Sequence, residues 1–307
     1  MMTSPRFTQL ESLTWPAQFI ASACGHLSPL TQEAYSTDLQ EFIRWYQVAL
    51  KESFDPAHCS PADIRTYRDS MRSIKAVATI NRRLVSIRKF FTWLVEERGL
   101  DRSPATRIQP LGRVVRNPVV LTPQRRNRLL WTVEKLGKGA DYPMIMTLAH
   151  TGVREQELVN LNLGSVHPFQ TDEGVRHELV VMGKGGKERT LPIAAALEDV
   201  LIPYFLQRTE ATNKDPQAPL FISSRGTRYT TSAIRKKVKS YGKKADIPSL
   251  HPHMLRHTFA TEAIEATGHD WKVVKELLGH ASVKTTLDIY DHPSQERMQK
   301  GVEGGNP

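Results

Sequence analysis

The chain has 307 residues, enough for two domains and a sizeable core, and its 39% hydrophobic and 24% charged content argues against a disordered polymer. No apolar run approaches the roughly 20 residues that span a bilayer. Lys plus Arg number 42 against 32 for Asp plus Glu, and the formal net charge of +10 favours a polyanionic partner, nucleic acid before an anionic membrane surface.

The first third reads as helical. Tyr35, Leu39, Phe42, Ile43 and Tyr46 recur at helical spacing between Thr31 and Tyr46, with Ser28 or Thr31 as the cap. Pro61 to Met71 predicts a shorter helix with proline in its first turn and Arg65, Arg68 and Arg72 on its surface. A stronger stripe, Ile80, Leu84, Ile87, Phe91 and Leu94, runs through a segment that also carries Arg82, Arg83, Arg88 and Lys89. These helices predict an all-helical domain over residues 1–105 with one basic side. Periodicity fails from Ser103 to Pro123, where Pro104, Pro110, Pro118 and Pro123 alternate with Arg107, Arg113 and Arg116. Residues 106–120 therefore read as an extended basic linker.

The remainder, 121–293, is mixed. Helical patterns cover Pro123–Leu136 and Asp141–His150. His177–Met182 and Lys187–Ile193 then flank a Gly-Lys-Gly-Gly tip and predict a β-hairpin. Helices return at Ala194–Arg208, Thr231–Lys244, Pro252–Ala266, Trp271–Leu278 and Val283–Tyr290. The fold class is mainly α with a small β-hairpin or sheet, an α+β arrangement. The polar tail 294–307 is expected to fray. Cys24 and Cys59 are far apart, so neither a disulfide framework nor a cysteine zinc site is expected, and the N-terminus lacks a signal-peptide pattern. These features predict a soluble protein of the cytoplasm, acting at the nucleoid and not at a membrane.

Four motifs carry chemistry: TGVREQEL from Thr151, GKGGK from Gly183, HMLRH from His253, and LGH from Leu278 followed by Tyr290. The glycine run lacks the spacing and the Lys-Ser/Thr ending of a nucleotide loop. His251, His253 and His257 lack a His-Glu-x-x-His pattern or a carboxylate partner, so no metal is expected. As a set the motifs are more informative. Arg154 and Arg256 supply planar forks that suit the oxygens of a phosphate. His253, His280 and Lys184 supply proton donors or acceptors, and Tyr290 an oxygen nucleophile. Fixed cations can hold the charge that develops on an attacked phosphodiester without a metal.

In this order the motifs resemble the tyrosine recombinase (phage integrase) family, which includes Xer-like and mobile-element integrases. The likeness spans nearly the whole chain. TQEAYSTDLQEFIRW and ATINRRLVSIRKFFTWL resemble the helical, SAM-like core-binding domain, and TGVREQEL, GKGGKERTLPI, HPHMLRHTFAT and LLGHASVKTTLDIY the catalytic boxes. The resemblance implies that Arg154 and Arg256 clamp the scissile phosphate and that Lys184 protonates the departing 5′-hydroxyl. It implies that His253 is an acid/base aid to the tyrosine, that His280 donates to a phosphate oxygen and that Glu157 orients the site. Tyr290 would form a 3′-phosphotyrosyl link, with no cofactor. It further implies a C-shaped clamp on a specific duplex core site, with Arg65, Arg68, Arg72, Arg82, Arg83, Arg88, Lys89, Arg113, Arg235, Lys236 and Lys239 facing DNA. A homotetramer on two DNA sites and an accessory directionality factor are also implied. The chain begins at the core-binding domain, from which a short, simple target site is expected. The alternatives are a topoisomerase with the same nucleophile and a catalytically silent DNA-binding architectural or regulatory protein.

Overall fold

A computed structural model of the chain describes residues 9–112, 118–183, 185–212, 214–280 and 282–290. It divides into two units, Met1–Val115 and Arg116–Pro307.

The first unit is built from α1 (Gln9–Ala23), α2 (Pro29–Leu50), α3 (Pro61–Ser70) and α4 (Val77–Arg98). Local chemistry sets the starts. The Ser28 side chain accepts from the Thr31 N–H at the head of α2. Ser60 and Asp63 cap α3 reciprocally. Proline occupies the first turn of both, where its missing N–H costs nothing. The apolar stripes meet in a core around Phe19, Phe42, Phe90, Phe91 and Leu94, all buried. α1 was not foreseen; Pro16 and scattered polar residues hide its period.

Two expectations need correction here. Arg83 does not face outward. Its side chain is 7% exposed, lies 2.5 Å from Glu41 and donates to the Tyr67 hydroxyl at 3.2 Å. Asp38, fully buried, lies between Arg82 and Arg83 and accepts from Ser86 at 2.8 Å. Burial raises the Asp38 carboxyl above its ordinary range even against these partners. Nor does an extended linker begin at residue 106. Ile108 is buried in the first core, Asn81 pins Leu111 through both its backbone N–H and C=O at 2.8 and 2.9 Å, and Arg88 donates to the Ile108 carbonyl at 2.8 Å.

The second unit contains α5 (Pro123–Leu136), α6 (Asp141–Thr151), α7 (Glu155–Asn160), β1 (Val166–Thr171), β2 (Gly174–Met182) and β3 (Glu188–Pro192). It continues with α8 (Ala195–Ala211), α9 (Thr231–Lys244), α10 (Pro252–Ala266), α11 (Trp271–Leu278) and α12 (Val283–Tyr290). α6 is apolar nearly all round and packs between α8 and α10, with Met144, Ile145 and Leu148 fully buried. The predicted hairpin is β2–β3, antiparallel with Leu179 opposite Leu191. β1 adds a third strand on the other side of β2. Pro168 within it disguised it as loop, and its edge position is where a strand tolerates proline. A satellite cluster of Ala260, Ala263, Ile264, Val274 and Leu278 holds α10, α11 and Tyr290 together, separate from the main core. Among the described residues no helix is long and apolar enough to cross a membrane.

Candidate active site

The site is organised by the last turn of α11. A helix leaves its final carbonyls without intrahelical partners and carries partial negative charge there. Three arginines from three different elements take up these carbonyls. Arg189, on β3, donates to Leu277 O at 3.2 Å. Arg256, on α10, donates to Leu278 O at 2.6 Å. Arg154, at the head of α7, donates to Gly279 O at 3.3 Å. Arg256 also donates to Gly152 O at 2.6 Å, the carbonyl that ends α6.

Two glycines permit this approach. Gly279 has φ +62°, and a Cβ there would meet the Arg189 guanidinium at 2.8 Å. Gly152 has φ +61°, and a Cβ there would run into the Phe259 ring at 2.4 Å. Both need the left-handed region and the absence of a side chain.

Glu157 ties two of the arginines together. It is 5% exposed and receives Arg154 Nη1 at 2.7 Å, the Arg154 backbone N–H at 2.8 Å, and Arg189 Nη1 and Nη2 at 3.0 and 2.8 Å. Burial alone would raise its carboxyl, but the bonds from Arg189 and Arg154 outweigh that and hold it below the usual carboxylate range. The native state therefore binds this proton less readily than the unfolded chain, whose value is about 4.3. The stabilisation is present above that value and is lost as pH falls through the lower native one. Glu157→Gln is expected to cost on the order of 3 kcal/mol at pH 7, because it leaves buried guanidinium charge unmatched. It should also flatten the acid limb of stability; urea unfolding from pH 7 down to about pH 2, through the unfolded value and below it, measures both.

Arg256 is 4% exposed, and burial with Arg154 nearby lowers it to about 10, so it remains charged at neutral pH. His280 follows α11 directly. Its Nδ1 lies 2.9 Å from Thr286 Oγ1, and with that hydroxyl donating, Nε2 carries the hydrogen as a donor. Burial and the three arginines push His280 down to about 4, so it is neutral at pH 7. His253, one turn before Arg256 on α10, also lies below its ordinary value, mainly through desolvation. Tyr290, at the end of α12, is half-buried. Burial raises its phenol to about 12 against the pull of Arg256, and its hydroxyl is 2.6 Å from His257 Nδ1.

Of the expected catalytic set, Arg154, Arg256, His280 and Glu157 thus gather at one helix end. His253 and Tyr290 border the same spot through α10. Lys184 lies outside the described residues. Gly183 donates its N–H to Lys187 O at 2.7 Å, and a Cβ on Gly183 would sit 3.8 Å from Glu157 Oε1. Tyr241 is a structural residue: it is buried, and its hydroxyl donates to Asp141 at 2.6 Å. His251 caps α10, its Nδ1 accepting the Met254 N–H at 3.0 Å.

Arg189 was not foreseen, and His257 entered only as a metal-ligand candidate that was set aside. For Arg189 a signal existed: strand alternation puts it on the same face as buried Leu191. For His257 the only cue was its place beside Arg256. Among the expected DNA contacts, Arg65, Arg72 and Lys89 are exposed, though Arg72 bonds to Asp69 at 2.8 Å. Arg68 is largely covered and bonds to Asp69 and to Gln109 O. Lys236 and Lys239 are exposed on α9, whereas Arg235 forks onto Glu155 of α7. Arg113 lies outside the described residues.

The sequence matches the family model "Phage integrase family" over residues 120–297 and "Phage integrase, N-terminal SAM-like domain" over residues 18–98. It is 31% identical over 285 residues to "Tyrosine recombinase XerC" of Pelobacter propionicus, covering 92% of this chain and 91% of that protein. It is 34% identical over 284 residues to the XerC of Roseiflexus castenholzii, covering 88% and 85%. The fold is that of the XerH site-specific recombinase solved with its difH substrate, with TM-score 0.77 and 18% identity over 98% of this chain and 97% of that one. The catalytic family match alone covers more than half of the chain, and the arginine-ringed helix end lies within it: the chain belongs to the phage integrase family, the tyrosine-type site-specific recombinases.

Proposed function

We propose that the protein cuts and rejoins duplex DNA at a specific core site through Tyr290, working as a homotetramer on two sites, with an accessory factor setting direction. The Tyr290 oxygen attacks the scissile phosphorus. An O–P bond forms, the P–O5′ bond breaks, and Lys184 protonates the departing 5′-oxygen. The product is a 3′-phosphotyrosyl link and a free 5′-hydroxyl. The 5′-hydroxyl of a partner strand reverses the step, so the bond energy stays in the intermediate and no cofactor is needed. Arg154 and Arg256 hold the nonbridging oxygens, His280 donates through Nε2, and His253 assists proton movement.

The observation that carries this reading is the gathering of Arg154, Arg256 and His280 at one helix end, with a half-buried phenol bonded to the residue after Arg256. Arg65, Arg72, Lys89, Lys236 and Lys239 supply salt-dependent affinity for the backbone. The two buried free cysteines suit work in a reducing cytoplasm.

The test is a nicked suicide duplex carrying the core site. A covalent protein–DNA adduct at the 3′-phosphate, mapped by mass spectrometry to the peptide containing Tyr290, is the expected result. Specific binding without an adduct would instead assign the chain to a DNA-binding regulator.

A further inference from the structure

We propose that His257 is the group that takes the phenolic proton of Tyr290 as the tyrosyl–phosphate bond forms. This rests on the proposed role of Tyr290 as nucleophile. His257 and Tyr290 come from α10 and α12, 33 residues apart, and their polar atoms meet at 2.6 Å. The rings pack edge to face, with centroids 5.6 Å apart. A hydroxyl that bonds to Nδ1 must donate if that nitrogen is unprotonated, and the other ring nitrogen then carries the hydrogen.

The electrostatics agree with that assignment. Burial, His253 and Arg256 push His257 down to about 4, so at neutral pH it is an empty acceptor. Burial pushes Tyr290 up to about 12, so its oxygen starts protonated and its proton needs a destination. Among the described residues the Tyr290 hydroxyl bonds to His257 and not to His253, whose ring centroid lies 6.5 Å from that of His257. A phosphate seated against Arg256 offsets that arginine's share of the suppression, so His257 becomes a better base once DNA is bound.

The step balances. The O–H bond of Tyr290 breaks and its proton goes to His257 Nδ1. The freed electron pair forms the O–P bond, the P–O5′ pair leaves with the 5′-oxygen, and Lys184 supplies that oxygen's proton. Religation returns the proton from His257 to the phenol.

Single-turnover adduct formation on the suicide duplex tests this with the full chain. His257→Asn keeps an acceptor near the Nδ1 position but cannot take the proton; His257→Phe removes both functions and keeps the ring. Each is expected to slow adduct formation about 100-fold or more, with DNA affinity within about twofold of the parent. The loss should persist on a duplex whose scissile linkage is a 5′-bridging phosphorothiolate, because a thiolate leaves without protonation and only nucleophile activation remains. A near-parental rate for either folded variant overturns the proposal. So does a defect that disappears on the phosphorothiolate, which would place His257 on the leaving-group side. If the parent protein itself forms no adduct, the fault lies with Tyr290 as nucleophile and not with His257.

Discussion

Tyr290→Phe is expected to abolish the covalent adduct altogether while leaving DNA affinity within about twofold of the parent. A phenyl ring cannot form the O–P bond, so no slower route through the same residue exists. Binding, by contrast, rests on cations that neutralise phosphates, and a neutral hydroxyl contributes nothing to counter-ion release. The substitution also removes the hydrogen bond to His257, worth about 1 kcal/mol. The ring itself stays packed on the satellite cluster with Phe259, Trp271 and Leu277, so the helix should keep its seat. Gel-shift titration beside denaturing-gel detection of the adduct separates the two effects. An adduct that survives would move the nucleophile to another residue.

The second large effect concerns Arg256. Arg256→Ala should slow adduct formation about 1000-fold, the scale expected when a preorganised donor to a developing oxyanion is removed. Unlike the tyrosine change, it should also destabilise the domain. The side chain satisfies the buried carbonyls of Gly152 and Leu278, and each carbonyl left without a partner costs about 1–3 kcal/mol. Arg256→Lys recovers charge but not the fork, since one ammonium cannot serve two carbonyls and a phosphate with the same geometry. Thermal unfolding together with single-turnover rates resolves these contributions. A rate within tenfold of the parent would mean that the phosphate is held elsewhere.

Much of this was legible in the sequence where local chemistry decides structure. Ser28, Ser60 and Thr122 cap helices with Pro29, Pro61 and Pro123 directly after them, Thr230 caps α9, and Pro252 follows the His251 cap of α10. Starts marked in that way are readable without tertiary information. α7, with six residues, is too short to show a period.

Arg83 shows a different limit. It lies three residues after Ile80 and four before Ile87, on the same face as the apolar stripe, so helix geometry already turned it inward. What the local pattern did not contain was its compensation, since Asp38 and Glu41 arrive from another helix more than forty residues earlier. The candidate site divides along the same line. Motifs carry the identity of Arg154, Arg256, His280 and Tyr290. The carbonyls that orient the arginines are backbone atoms, present at every position and invisible to motif reading.

That arrangement bears on attempts to rebuild the site elsewhere. The guanidinium groups of Arg154, Arg189 and Arg256 are aimed by one peptide segment, Leu277 to Gly279. Grafting the charged side chains onto a foreign scaffold would deliver cations with no common reference point. The transplantable module is the α11 terminus with its glycine, and the arginines follow from it.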